Sequence, residues 1–371
     1  MQQSAARTDF LDRIRVMLTA LVILHHAAIM FGAPGGWYFT VPTDHLAEKL
    51  PFTVFVSVNQ SFFMGFFFLL SGYFAAMAYE RKGPLRFARD RLLRLGIPLL
   101  VYGFVIGPMT IALAGIYGGS PFLRYWASLM REHRFNAGPL WFVWALLVFN
   151  CAYLLWRALR GRSTDAPLAP GHLTLLIAAL ATGIGAFLLR LLVPVGQERW
   201  MLQIGYFSSY VVLFAGGCAF ARGRWLEQVD PAFARPWRIV SWVVAPTLFI
   251  YGIAAGAIGG APFDTSGGWN LPSLAYALWE PLVAWGIILG MLARFRKAVG
   301  ATPSARWQGW AQGAYAAYIV HAPLLVLAGL AAAALPLPNI VRFVLSGLVG
   351  IGASFLTARL LLKLPGVRSV L

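Results

Sequence analysis

The feature that most constrains this chain is a series of apolar runs, each roughly 20 residues long, that recurs from one end to the other. A run of that length crosses the hydrocarbon core of a bilayer as a helix. The runs are too long and continuous for barrel strands, and a helix satisfies every backbone hydrogen bond internally. The composition agrees, since 59% of the residues are hydrophobic and 12% are charged. We therefore predict an all-α polytopic membrane protein and exclude soluble, disordered and disulfide-scaffold classes.

The boundaries of the runs predict about ten transmembrane helices. They are residues 14–31, 52–79, 95–117, 140–156, 173–193, 201–221, 239–258, 271–293, 309–330 and 340–361. The first run is not interpreted as a cleaved signal peptide, because His25 and His26 interrupt it. The whole chain, residues 1–371, is interpreted as a single integral-membrane domain.

The distribution of Lys and Arg predicts the orientation. When ten spans alternate across the membrane, 23 of the 30 Lys and Arg residues fall on one side, which also holds both termini. Basic residues concentrate on the cytoplasmic side, so both termini are expected to be cytoplasmic. Because these residues flank apolar runs, the net charge of +17 indicates membrane topology and membrane lipids as neighbours. No nucleic-acid partner is expected.

Ionisable side chains inside a span are costly and therefore indicate function. On the first span, His26 lies eleven positions after Arg15, which returns it to nearly the same helix face, about 16 Å further along. Asp12 lies one turn before Arg15 on this stripe, whereas His25 lies about 80° away from it. The alternative interpretation is an interfacial arginine and a histidine satisfied by a neighbouring helix.

Two further ionisable residues lie inside later spans. Glu280 is expected at a depth similar to that of His26, where its carboxylate would orient the imidazole as a general base. A helix kink at Pro281 is the alternative interpretation of Glu280. His321 is either a group that orients the base or contacts substrate, or a buried packing histidine. Two membrane histidines at comparable depth also allow haem ligation, a third and weaker hypothesis.

Arginines crowd the connection before the third span, at Arg86, Arg89, Arg91 and Arg94. Arg91 and Arg94 are one helical turn apart and can hold one polyphosphate from the same face. Guanidinium forks suit diphosphate and phosphomonoester groups, so a phosphorylated cytosolic ligand is predicted here. Lipid headgroups, or topology alone, are the alternatives.

Five sequence segments resemble landmarks of one family, the acyltransferase-3 integral-membrane acyltransferases. The pattern L-D-x-x-R-x10-H, formed by Leu11, Asp12, Arg15 and His26, is similar to the N-terminal signature of that family. The later matches are residues 66–73 (FFFLLSGY), Arg91-x-x-Arg94, residues 138–142 (GPLWF) and residues 318–323 (YIVHAP). Together they extend from residue 11 to residue 323.

The resemblance implies transfer of an acyl group from cytosolic acyl-CoA, either acetyl-CoA or succinyl-CoA, to a hydroxyl of an extracytoplasmic or lipid-linked glycan, without a metal. His26 would then be the base, Arg15 would line the donor path, and the oxyanion would need donors nearby. The candidate residues are His26, Arg15, Asp12 and Glu280 for catalysis, Arg89, Arg91, Arg94, Ser71 and Tyr73 for the coenzyme, and His321 and Trp141 for the substrate.

The chain is similar to single-domain members that modify periplasmic glucans, often with succinyl groups, so the bacterial inner membrane is the expected location. No fused soluble domain is expected after residue 361, so a separate periplasmic protein is a possible partner. The outer loop of residues 32–50 carries Trp37 and Tyr38 and is a candidate for acceptor selection. The alternative function is a proton-coupled glycolipid transporter or flippase, in which the same histidines and Glu280 relay protons.

Overall fold

A computed structural model describes residues 2–160, 168–259, 263–298 and 305–371, and within these ranges the chain is helical and contains no strand. The all-α prediction is confirmed. The α-helices are α1 (Gln2–Met30), α2 (Leu46–Lys82), α3 (Pro84–Arg91), α4 (Ile97–Val101), α5 (Gly107–Gly115), α6 (Phe122–Arg131), α7 (Trp141–Arg160), α8 (His172–Leu192), α9 (Phe207–Ala221), α10 (Pro231–Val244), α11 (Thr247–Gly259), α12 (Leu271–Ala298), α13 (Ala305–Ala333), α14 (Asn339–Leu361) and α15 (Val367–Val370).

Ten helical segments in the described ranges are long and apolar enough to cross a membrane, which confirms the predicted number. They are Asp9–Met30, Leu46–Lys82, Pro84–Gly118, Gly138–Arg160, His172–Leu192, Ile204–Ala221, Pro231–Gly256, Leu271–Ala298, Trp307–Ala333 and Asn339–Leu361. The largest difference from the predicted boundaries is in the third span, which begins eleven residues earlier than expected.

The third span is irregular where the arginines lie. It contains two π-helical turns, Leu92–Gly96 and Tyr102–Ile106, between its α-helical parts. Such turns leave backbone groups to be satisfied from outside the helix, and they are frequent at functional sites. The hydroxyl of Tyr315 on α13 donates to the carbonyl oxygen of Arg94 at 2.8 Å. The arginine segment is therefore anchored to α13.

The seventh span is interrupted, although the sequence pattern predicts one continuous helix over 239–258. α10 ends at Val244 and α11 begins at Thr247. Pro246 explains the break, because proline has no N–H to donate and its ring clashes with the preceding helical turn.

The chain forms two compact units. The first contains Met1–Ile14, Gln60–Phe87 and Phe149–Pro303, and the second contains Arg15–Asn59, Ala88–Val148 and Ser304–Leu371. The core of the second unit includes the C-terminal half of α1, its following loop, the start of α2, and α13. Buried members of this core include Ile23, Met30, Phe31, Leu325 and Val326.

In the first unit, α2 and α9 approach each other at two glycines. A Cβ at Gly72 would lie 2.1 Å from the Phe214 carbonyl oxygen, and one at Gly217 would lie 2.1 Å from the Leu69 carbonyl oxygen. Because the obstructing atoms belong to the backbone, they cannot move aside without separating the helices. The L-S-G-Y segment of α2 therefore packs tightly on α9.

Replacing Gly72 by alanine is expected to destabilise the protein by about 1–3 kcal/mol, since overpacking forces the two helices apart. Thermal unfolding in detergent measures this as a lowered midpoint. Gly352→Ala is the matched control, because a Cβ at that helical position meets nothing within 4 Å. An unchanged midpoint for Gly72→Ala would show that α2 and α9 are not packed as described.

Candidate functional site

The central feature of the second unit is a pair of hydrogen-bonded histidines, His26 on α1 and His321 on α13. Nδ1 of His26 lies 3.3 Å from Nε2 of His321, and the two rings are nearly parallel, with centroids 5.3 Å apart. His321 is fully buried, whereas His26 is half-buried. His26 is four residues from the end of α1, and thus about 6 Å from it along the axis.

The hydrogen-bond partners assign the tautomers of both rings. Nδ1 of His321 bonds to the backbone carbonyl of Tyr318, which can only accept, so this nitrogen carries the hydrogen. In neutral His321, Nε2 is then the acceptor, and Nδ1 of His26 must donate to it. Nε2 of His26 is therefore left with a lone pair, and it makes no hydrogen bond within the described part of the chain. The arrangement prepares His26 to accept a proton.

Trp37 packs against this pair. Its ring stacks on His26 with centroids 4.1 Å apart and an interplanar angle of 20°, and it lies 6.1 Å from the His321 ring. An aromatic face next to an imidazole stabilises the protonated form of the imidazole, the imidazolium. The three ring centroids therefore form a triangle, in which Trp37 stacks on His26 and His321 lies beside that stacked pair.

Polar contacts hold the loop that carries Trp37. Nδ2 of Asn339 donates to the carbonyl oxygens of Phe31 and Val41, at 3.1 and 3.0 Å. Tyr38, which follows Trp37 in the loop, forms a hydrogen bond between its hydroxyl and the hydroxyl of Tyr102, at 3.0 Å. Burial raises the pKa of Tyr38 to about 12, so its hydroxyl stays protonated near neutral pH and is not a base.

His25 lies in a different environment from His26. It is 5% exposed, and its Nδ1 lies 3.2 Å from Nδ2 of Asn59 on α2. The Asn59 amide also donates to the Leu21 carbonyl, at 3.4 Å. His25 thus participates in packing between α1 and α2, and His26 is the more accessible of the two adjacent histidines.

The arginines of this site belong to the second unit, with Arg15 on α1 and Arg91 and Arg94 in the third span. α1 is continuous from Asp12 through Arg15 to His26, so the predicted stripe has the expected helical geometry. Arg15 and Arg94 are both close enough to Arg91 for their charges to act on its guanidinium. Arg91 is half-buried, while Arg89 and Arg94 are exposed. The positive charges of α1 and of the third span thus lie within electrostatic range of one another.

Glu280 has a partner that the sequence interpretation did not identify. Its carboxylate forms a buried ion pair with Arg190 of α8, and the two side chains are 3% and 1% exposed. Arg190 also lies over the rings of Tyr206 and Tyr276. The expected pairing of Glu280 with His26 is therefore wrong. Glu280 pairs with Arg190, because a guanidinium neutralises a buried carboxylate more effectively than a neutral imidazole would. His26 pairs instead with His321.

The remaining candidates are distributed over both units. Ser71 and Tyr73 belong to the first unit, where the Tyr73 hydroxyl donates to Glu227 at 2.8 Å. Trp141 belongs to the second unit and is the first residue of α7. It lies two residues after Pro139, whose carbonyl accepts from the Tyr318 hydroxyl. The roles assigned to these residues stay predictions.

The geometry of the histidine pair also bears on the haem hypothesis. The two imidazoles are stacked and hydrogen-bonded directly, at 3.3 Å between nitrogens. A metal held by both residues would require these two nitrogens to separate. The pair as it stands is arranged as a hydrogen-bonded proton acceptor, and haem ligation stays the weaker hypothesis.

Comparisons with known proteins agree on one family. The family described as "Acyltransferase domain" (Acyl_transf_3) matches residues 8–359. Similar proteins include Glucans biosynthesis protein C of Shigella dysenteriae serotype 1 and of Escherichia coli strains K12 and O139:H28, each 28% identical over 162 residues. These matches cover 41% of this chain and 40% of each relative, so the chain spans less than half the length of those proteins. No solved structure shows significant similarity.

Proposed function

Because this chain belongs to the Acyltransferase domain family, we propose that it transfers an acyl group from cytosolic acyl-CoA to a hydroxyl of an extracytoplasmic or lipid-linked glycan. The observation that carries the proposal is the His26–His321 pair, which leaves a half-buried imidazole nitrogen able to take a proton. The ten apolar helices in the described ranges indicate a multi-pass membrane protein. We place both termini in the cytoplasm and the protein in the bacterial inner membrane.

The arginine cluster is the proposed donor site. Arg91, Arg94 and Arg15 bring three guanidinium groups to one region, and each presents N–H donors in a planar fork. The adenosine end of coenzyme A carries a diphosphate and a phosphomonoester, which such forks bind through charge-assisted hydrogen bonds. Arg89 is exposed next to this cluster and would add to the local positive charge.

The first helix connects the two ends of the proposed reaction. Arg15 and His26 lie on nearly the same face of α1, about 16 Å apart along its axis. An acyl-CoA held by its phosphates near Arg15 would extend its pantetheine arm along this face and bring the thioester towards His26. The acceptor hydroxyl would approach from the end of α1 that lies nearest to His26.

The proposed chemistry is general-base catalysis. Nε2 of His26 takes the proton from the acceptor hydroxyl as its oxygen attacks the thioester carbon, and the carbonyl electrons move onto the carbonyl oxygen. His321 stabilises the resulting imidazolium through its Nε2 lone pair. When the intermediate collapses, the C–S bond breaks, and the thiolate of coenzyme A takes the proton back from His26. An ester and free coenzyme A are formed, and the base is restored.

The acceptor class rests on the relatives. Their name, Glucans biosynthesis protein C, connects them to glucans, and we extend that connection to this chain as a proposal. The acyl group is acetyl or succinyl. A succinyl donor would bring an additional carboxylate into the site, so comparing the two coenzyme A esters distinguishes them.

Binding of acetyl-CoA and succinyl-CoA to the purified protein, measured by titration calorimetry, tests the donor site. Arg94→Ala is expected to raise the dissociation constant by about 10- to 100-fold, since it removes a hydrogen bond from a charged donor worth about 1.5–3 kcal/mol. Arg81→Ala, at an exposed position near the end of α2, is the matched control and should bind as the wild type does.

Two results would contradict the proposal. If neither coenzyme A ester binds to the wild type, the donor is a different molecule. If vesicles containing the protein move a glycolipid between leaflets without acyl-CoA and transfer no radiolabelled acyl group to an added glucan, the protein is a transporter.

A further inference from the structure

The indole N–H of Trp37 is a buried donor without an acceptor. Nε1 is inaccessible to solvent and makes no hydrogen bond to any residue that the structure describes. Leaving a buried donor unsatisfied costs about 1–3 kcal/mol, so such a group in a folded protein calls for an explanation. A ligand oxygen that binds next to Trp37 would satisfy the donor and remove this cost.

Burial of the N–H alone does not indicate function, because Trp126 and Trp144 of the second unit also have buried indole nitrogens without acceptors. Trp37 differs in its neighbour, since its ring stacks directly on the accessible histidine at 4.1 Å. Trp126 instead stacks on Phe122, at a centroid distance of 6.1 Å. Among these three tryptophans, Trp37 is the one whose ring stacks on His26, a side chain that can take up a proton.

The position of Trp37 is fixed before any substrate binds. The loop is tied to the N-terminus of α14 by the two Asn339 hydrogen bonds, and Tyr38 is held by Tyr102. Stacking on His26 restricts the indole ring itself. A donor held in this way is oriented in advance, which is a condition under which hydrogen bonds stabilise a developing charge effectively, and only the groups that cover it must move to admit the carbonyl oxygen.

We propose that the Trp37 indole N–H is the oxyanion donor of the site and bonds to the acyl carbonyl oxygen as that oxygen becomes negative. This inference rests on the proposed function. The oxygen that His26 deprotonates and the oxygen that takes up the charge are attached to the same carbon in the tetrahedral intermediate. Because the rings of His26 and Trp37 are stacked, the base and the N–H donor lie on adjacent rings and can each bind one of these two oxygens.

Trp37 would stabilise both charges of the tetrahedral intermediate. Its N–H stabilises the oxyanion, and its ring face stabilises the imidazolium of His26. As the C–S bond breaks, the negative charge moves from the carbonyl oxygen to sulfur, and the thiolate is neutralised by the proton from His26. The donor releases a neutral ester oxygen, which it binds less strongly than the oxyanion.

Replacing Trp37 by phenylalanine tests the role of the N–H, because phenylalanine retains an aromatic ring for stacking and lacks the donor. We expect kcat for acyl transfer to fall by about 10²-fold, as when one oxyanion donor is removed, with little change in KM for acyl-CoA. The pH dependence of kcat should keep its midpoint in Trp37→Phe, since the base and its stack are retained. It should shift in Trp37→Ala, which loses the stack.

Trp126→Phe is the matched control, because it removes an equally buried and unsatisfied indole N–H away from the histidines. Wild-type kcat in Trp37→Phe, or an equal loss in Trp126→Phe, would overturn the inference. If the wild type transfers acyl groups and His26→Ala does not, while Trp37→Phe is fully active, the oxyanion role fails and the proposed function stands. If the wild type transfers no acyl group, the proposed function fails first.

Discussion

Replacing His26 by alanine is expected to lower the rate of acyl transfer by about 10³- to 10⁴-fold, the upper part of the range for general-base catalysis. The reason is that the substitution removes the proton acceptor and leaves Nε2 of His321 without its hydrogen-bond partner. The measurement is the transfer of a radiolabelled acyl group to a glucan by the purified protein. Acyl-CoA binding should persist, since Arg91 and Arg94 are unchanged.

His25→Gln is the matched control for this experiment. It replaces the neighbouring histidine, which contacts Asn59, and keeps a polar side chain there. Its transfer rate should stay close to that of the wild type. Full activity of His26→Ala, or loss of activity confined to His25→Gln, would remove His26 from its assigned role.

Replacing Glu280 by glutamine is expected to destabilise the protein by about 3–5 kcal/mol, because it leaves the Arg190 guanidinium buried without a counter-charge. The expected observation is a markedly lower unfolding midpoint in detergent, or failure to obtain folded protein. Arg190→Met combined with Glu280→Met should restore stability, since removing both charges removes the uncompensated one.

The double variant also separates two roles for Glu280. If the protein with both substitutions is stable and transfers acyl groups, Glu280 acts through the ion pair alone. If it is stable and inactive, the carboxylate has the catalytic role that the sequence predicted. Equal stability of Glu280→Gln and the wild type would show that the pair with Arg190 contributes nothing.

The sequence predicts the parts of the site that depend on one helix. Eleven residues place Arg15 and His26 on one face because helical geometry is regular, and α1 is a continuous helix through both. The ten spans follow in the same way from apolar length.

Contacts between distant segments were less predictable. His321 is identified from sequence as a buried ionisable residue, but its bond to His26 depends on how α1 and α13 pack. Arg190 is near the end of its apolar run and looks like an ordinary outer-side basic residue, so nothing local connects it with Glu280, 90 positions away. Trp37 lies in a loop whose aromatic residues have many interpretations, and only its stacking on His26 assigns it to the site.

The chain of hydrogen bonds from the Tyr318 carbonyl through His321 to His26 contains no carboxylate. Many bases of this kind are oriented by an aspartate or glutamate, which carries a permanent negative charge. In the tautomers assigned above, these three groups are electrically neutral, a state that a lipid environment of low dielectric constant favours. In the proposed reaction, a proton and its charge therefore reside on these groups only while a substrate is reacting.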